Sequence, residues 1–202
     1  MGRNRQVPEI NSGSMADIAF LLLIFFLVAT TIQNDHGLIR KLPPKPDRTI
    51  IDIHERNVFR IILNKENQLM VEGELIEFKD LGKEVISFLD NGGEVGKCEY
   101  CLGAKSKDKS DSPLEAVISF QSDRKALYGT YVRVQDVLTT AYISLRNRES
   151  KRLFGTDFKS MEEAYLKPET NGELKETLKK RIKTIREMYP MKISESELIF
   201  KS

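Results

Sequence analysis

Residues 11–31 read NSGSMADIAFLLLIFFLVATT, and the reading of this stretch decides how the whole chain is organised. From Ile18 to Val28 it holds no polar side chain. With Met15, Ala16 and the mildly polar 29–32, the run reaches about 18 residues. As a helix that is roughly 27 Å, close to the roughly 30 Å hydrocarbon core of a bilayer. The pattern predicts one transmembrane helix over 17–32. A cleaved signal peptide is the competing reading. Arg3 and Arg5 supply its basic head, but the run is long and ends in Ala29-Thr30-Thr31-Ile32-Gln33, a poor cleavage site. An uncleaved anchor is expected.

One carboxylate, Asp17, stands at the head of this run. Ser14 and Asp17 fit a capping box, a Ser or Thr followed three residues later by an acid before an apolar stretch. In that reading Ser14 caps the helix, and Asp17 reaches back to the Ser14 N–H, favoured by the helix dipole. The second reading is functional. Asp17 has no cationic residue within a helical turn, and an ionised Asp inside a span costs about 2.5–3.5 kcal/mol when central. Desolvation favours the neutral acid, so such a group can take up a proton on one side and release it on the other. The two readings are compatible.

The 202 residues carry a net charge of +2, a near-neutral balance that gives no reason to propose nucleic acid. No P-loop, zinc-protease or serine-hydrolase signature is present, and no enzyme activity or cofactor is expected. The chain divides into a polar head (1–16), the span (17–32), a linker (33–56) centred on Pro43-Pro44-Lys45-Pro46, and a charged domain (57–202). The proline cluster favours an extended chain at roughly 3.1 Å per residue. Flanking Lys and Arg lean weakly towards a cytoplasmic domain.

Within 57–202, Asn57–Asn64 alternates as a strand, and QLMVEGELIE (68–77) reads as a second strand or a pair broken at Gly73. Phe78, Leu81, Val85 and Leu89 fall at helical spacing, ended by Asn91-Gly92-Gly93. Leu114–Gln121 reads as a buried strand. Val134, Val137, Leu138, Ala141 and Leu145 line a second helix. Leu174, Leu178, Ile182, Ile185 and Tyr189 line a third, stopped by Pro190, and 191–200 looks like a closing strand. The expectation is an α+β domain with helices on one face of a mixed sheet.

Two segments carry a family likeness. One is Pro8-Glu9-Ile10 leading to Met15-Ala16-Asp17 and the apolar run. The other is FQSDRKALYGTYVRVQDV (120–137), a strand, an Asp-Arg turn, a Tyr and a helix. Together the chain resembles the ExbD/TolR family over roughly residues 6–145. The resemblance implies an inner-membrane, single-pass subunit of an ion-driven motor, with a cytoplasmic N-terminus and a periplasmic domain. It overrides the weak charge count. It implies two copies inside a ring of an ExbB/TolQ-like partner, with Asp17 at the position of the proton-carrying Asp. In the ExbD branch the motor energises a TonB-like protein for transport across the outer membrane. A TolR-like subunit engaging the cell wall is the alternative within the family. A signal-anchored periplasmic binding domain without ion chemistry is the alternative outside it. By helical spacing, Phe20, Leu21, Ile24, Leu27, Val28 and Thr31 share the Asp17 stripe and should face the ring or the sister helix.

Two regions depart from the family pattern and inherit no role: an insertion at 91–113 and a C-terminal extension at 147–202. The insertion holds the chain's two cysteines, Cys98 and Cys101. A structural zinc site needs four ligands, and a thioredoxin-like site needs a helix start in a βαβ setting. A disulfide is the plainer reading in a periplasmic domain. Lys175, Lys179, Lys183 and Arg186 form a basic helical face. It is either a solvated surface or a contact for an anionic partner or lipid.

Overall fold

The computed structural model describes residues 12–29 and 54–198. The chain separates into two units, the first holding the N-terminal helix and the second all other elements, and each is described by itself.

The first unit's helix, α1, runs Ser12–Ala29. It begins earlier than a capping box at Ser14 would place it. Ser14 therefore lies inside the first turn instead of at its edge, and Asp17 sits in the second turn. The expected boundaries of 17–32 shift accordingly, and 30–32 lie outside the described residues, as does 33–53 of the linker.

The second unit opens with a 3-10 turn, Glu55–Asn57, followed by β1, Val58–Leu63. Its alternation is the one the sequence predicts: Phe59, Ile61 and Leu63 are buried while Arg60 is exposed. The next apolar stretch is a hairpin, β2 (Leu69–Val71) and β3 (Glu74–Ile76). Glu72 and Gly73 both have positive φ, 49° and 88°, as the favoured two-residue hairpin turn requires. The Glu72 carboxylate accepts the Arg60 N–H at 2.5 Å, tying the turn to β1.

Helix α2, Phe78–Leu89, buries Leu81, Val85, Phe88 and Leu89. Strand β4 is Val117–Ser122 and buries one face only. The expected strand over 114–121 is thus shorter and later. The N–H groups of Glu115 and Ala116 turn back on the Ser112 carbonyl, which takes them out of the sheet. Helix α3 spans Tyr128–Phe154 and ends at Gly155, which caps it in the left-handed conformation (φ 68°). Helix α4, Phe158–Leu166, was not expected from the sequence. Helix α5, Gly172–Met188, starts at Asn171, whose side chain accepts the Glu173 N–H at 2.9 Å. Strand β5, Ile193–Glu197, closes the order.

The strands form one mixed sheet in the order β3-β2-β1-β4-β5. β1 pairs antiparallel with β2 and parallel with β4, and β5 runs parallel to β4 with Ile118 opposite Ile193 and Phe120 opposite Glu195. One face of this sheet packs on α2 and α3 in the main core, through Phe59, Ile61, Phe120, Leu81, Val85, Leu138 and Tyr142. Val137, expected on the inner face of α3, is only half-buried and lies over Gly82 of α2. The α4–α5 pair builds a second, smaller core from Phe158, Met161, Leu178, Ile182 and Ile185.

Arg146 lies where these cores meet. It is 8% exposed. Its guanidinium stands over the Tyr142 and Phe158 rings, 5.8 and 5.5 Å from their centres, and donates twice to the Tyr189 carbonyl at 3.0 and 2.7 Å. Burial, reinforced by the nearby Arg186, lowers its proton affinity. Its stacking between rings is a use of the planar guanidinium that a lysine could not reproduce.

Burial also pushes the Tyr142 phenol up to about 12. An acid whose folded value is raised above the unfolded one, near 10, stabilises the fold fully below about pH 10. That contribution is lost as pH rises through the folded value. We expect alkaline titration to remove roughly 2 kcal/mol between about pH 10 and 12. In Tyr142→Phe that loss is smaller, measured as denaturant midpoint against pH.

Candidate functional site

Helix α1 carries a single ionisable side chain, Asp17, in 18 residues. Met15, Ile18, Phe20, Leu21, Leu22, Leu23, Ile24, Phe25 and Phe26 are all exposed in the isolated chain, and so is Asp17. A helix apolar on every side is stable only when something apolar surrounds it, a protein core or a bilayer. Among the described residues no helix is long and apolar enough to cross a membrane. Phe20 and Leu21 lie three and four residues from Asp17 and Ile24 lies seven, so they share one stripe of α1 with it. For Ser14, Leu27 and Val28 only the backbone is described, and Thr31 lies outside the described residues.

The second sequence segment with a family likeness folds as strand, turn and helix. Asp123 makes the turn: its carboxylate accepts the Lys125 N–H at 2.8 Å and its carbonyl accepts the Ala126 N–H at 3.0 Å. Arg124 extends to Glu197 of β5 at 2.7 Å. Tyr131 stacks on Phe120 (5.4 Å between centres), and the exposed Tyr128 stacks on Tyr131 (6.2 Å). The Tyr131 hydroxyl donates to Glu195. This segment therefore holds the β5 edge against the start of α3.

The insertion is an ordered loop built on Asn91. The Asn91 amide donates to the Ser106 and Ser110 carbonyls at 2.8 Å each, and its oxygen accepts the Ser106 N–H at 2.9 Å. Cys98 and Cys101 form a disulfide, so this pair is not a metal ligand set. Arg56, just ahead of β1, binds Asp111 at 2.5 Å and fastens the far end of the loop to the domain. Asn57 adds a donor to the same carboxylate at 2.9 Å and accepts the Asp111 N–H at 2.8 Å.

A polar cluster that sequence reading missed joins the loop to both long helices. Asp90, just past α2, accepts from Arg148 of α3 at 2.5 and 2.7 Å and from the Tyr189 hydroxyl at 2.7 Å. Arg148 also donates to Glu149 at 3.0 Å, and Arg152 donates to Glu149 at 2.6 Å. The Asp90 hydrogen bond strengthens the hold of Arg148 on its proton. Burial, then the Asp90 hydrogen bond, drives the Tyr189 phenol far up, so it stays a donor. The one sequence signal was the run Arg146-Asn147-Arg148-Glu149, which puts charge on a face that apolar residues line earlier in α3.

The basic face of α5 is largely paired within the domain. Lys179 meets Glu176 at 3.6 Å, Lys183 meets Glu187 at 3.6 Å and Arg186 meets Glu162 at 2.6 Å. Lys175 lies over the Tyr165 ring. That pattern fits a solvated helix surface better than a free cationic patch.

An apolar helix bearing one carboxylate precedes a small mixed α+β domain in the chain. The chain matches the family model described as "Biopolymer transport protein ExbD/TolR" over residues 3–149, and it belongs to that family. No curated protein matches it. Family members are non-enzymatic, inner-membrane-anchored subunits of biopolymer transport that work with ExbB/TolQ and TonB-like proteins in a membrane complex. The match stops within α3, so α4, α5 and β5 lie beyond it, although β5 is an integral strand of the sheet.

Proposed function

We propose that this chain is the proton-carrying subunit of an inner-membrane motor of the ExbB–ExbD kind. In this reading the apolar run 17–32 crosses the bilayer, with the N-terminus cytoplasmic and the α+β domain periplasmic. Asp17 takes up and releases the proton. Phe20, Leu21 and Ile24, with Leu27, Val28 and Thr31 further along, face an ExbB/TolQ-like ring or the α1 of a second copy. The domain passes the resulting motion to a TonB-like protein that serves the outer membrane. The observation that carries the reading is the isolation of Asp17, the one ionisable group on a helix that is otherwise apolar all round. The disulfide fits an oxidising compartment for the domain. A second copy and a ring follow physically, because a lone helix offers a carboxyl group no aqueous route across a bilayer and nothing to move against.

A hydrophobic carbodiimide tests the site directly, because it reacts with a protonated carboxyl in an apolar setting. With the assembled complex in membranes, mass spectrometry should find the adduct on Asp17. Labelling confined to surface carboxylates of the domain would remove Asp17 from the proton path.

A further inference from the structure

The disulfide loop touches the passage from α5 into β5. Tyr100, between the two cysteines, donates its hydroxyl to the Met188 carbonyl at 2.9 Å, and its ring meets the Tyr189 ring edge-on at 5.5 Å. Its carbonyl accepts from Arg148 at 3.3 Å. The two residues after Cys101 hold Asp90: the Leu102 N–H donates to its carboxylate at 3.3 Å and the Gly103 N–H to its carbonyl at 2.9 Å. Gly103 can be only glycine without movement, since an added Cβ would lie 2.5 Å from the Asp90 carbonyl oxygen. Tyr189 caps α5 and is buried in the main core, whereas the buried residues of α5 itself, Leu178, Ile182 and Ile185, belong to the second core. Four residues after Tyr189 the chain enters β5, an edge strand paired to β4 alone among the described strands. The loop thus grips the segment that delivers β5 to the sheet.

We propose that the Cys98–Cys101 disulfide is an exchange site for a dithiol reductant, and that opening it releases the α5–β5 junction. Cys98 is half-buried while Cys101 is 6% exposed and packs against Gly92, where an added Cβ would lie 2.9 Å from the Cys101 Cβ. The reductant's thiolate therefore attacks the Cys98 sulfur. The S–S bond breaks, and Cys101 leaves as a thiolate and takes a proton. The reductant's second thiol then attacks the mixed disulfide and frees Cys98, which is protonated in turn. The protein gains two electrons and two protons, and the dithiol becomes a disulfide. Tyr100 loses its tether on both sides. The contacts to Met188, Tyr189 and Arg148 then carry the entropy of an open polar loop, and the edge strand behind them opens more often. This inference is independent of the proton reading of Asp17.

The test is hydrogen exchange of the full-length chain before and after treatment with dithiothreitol, with alkylation to count thiols. Both cysteines should become alkylatable in the folded protein, and amides from Tyr189 to Glu197 should exchange about tenfold faster or more, with β1 and β2 unchanged. A Cys98→Ser/Cys101→Ser chain should exchange like the reduced form and ignore dithiothreitol. Tyr100→Leu should loosen the same amides with the disulfide intact. A disulfide that resists dithiothreitol in the folded chain overturns the exchange site. Equal exchange in both redox states, or loosening spread through β1 and β2, overturns the latch.

Discussion

Asp17→Asn should assemble as the wild type does and support no energised transport. Asn keeps the size and most of the polarity of Asp, so the fit of α1 among its neighbours is retained. What it loses is an exchangeable proton. A carboxyl group that cycles between neutral and charged forms can draw on about 2.3 kcal/mol per elementary charge for each 100 mV of membrane potential. An amide has no second protonation state with which to do so. The two measurements are co-purification with the ring protein and energy-dependent uptake in cells. Asp17→Glu retains the chemistry on a longer arm, so its activity should fall without vanishing. Normal uptake with Asp17→Asn would end the proton reading and leave an anchored binding domain. The carbodiimide result is separable from this one, since it reports where a neutral carboxyl lies and not whether transport needs it.

Asp90→Ala should destabilise the α+β domain by about 3 kcal/mol, near the lower end of what removing one partner of a buried pair costs. The substitution strips Arg148 of two close contacts and leaves the buried Tyr189 hydroxyl without its acceptor. The lower end applies because the Arg148 side chain is 29% exposed and keeps Glu149 at 3.0 Å. Water and a second carboxylate thus absorb part of the penalty. For a domain of about 150 residues this corresponds to a fall in melting temperature of roughly 6–12 °C. Calorimetry of the full chain in detergent would measure it. Asp90→Asn, which keeps an acceptor for Tyr189, should lose less. A loss under about 1 kcal/mol for Asp90→Ala would mean that the cluster is solvated in solution.

Much of the sheet could be read in advance because its residues obey local rules. Val58–Leu63 alternates cleanly, and the Glu72-Gly73 break announces a hairpin. Helices α2 and α5 show their apolar stripes at helical spacing. Helix α4 escaped notice because only Phe158 and Met161 of its nine residues are fully buried, too few to make a period. The strand at 114–121 was drawn too early because Leu114 and Ala116 are apolar yet belong to a turn. The polar cluster was out of reach for another reason. Asp90, Arg148 and Tyr189 are 58 and 99 positions apart by their pairings, and no periodicity links them. In α1 the carboxylate in an apolar run was plain, and the helix starts two residues ahead of Ser14. A box describes local donors and acceptors, and the first four N–H groups of a helix that starts at Ser12 are still free to meet them. The family likeness reached residue 145 and the family match 149. Both end before β5; a closing strand at 191–200 could be read from the sequence, but its place beside β4 was visible only in three dimensions.

The pairing of β5 with β4 also sets a timetable. β4 ends at Ser122 and β5 begins at Ile193, with three helices between them. Parallel neighbours so far apart in sequence close slowly, because the intervening chain must be ordered before the pairing is rewarded. As the polypeptide is made from its N-terminus, β4 therefore waits with a bare edge until Ile193–Glu197 has emerged. A ribosome that stalls or a protease that clips anywhere after α3 leaves an unfinished sheet whose exposed backbone invites pairing with other chains. Strand β5 thus acts as a proofreading mark, and only a chain made through Glu197 can cover that edge.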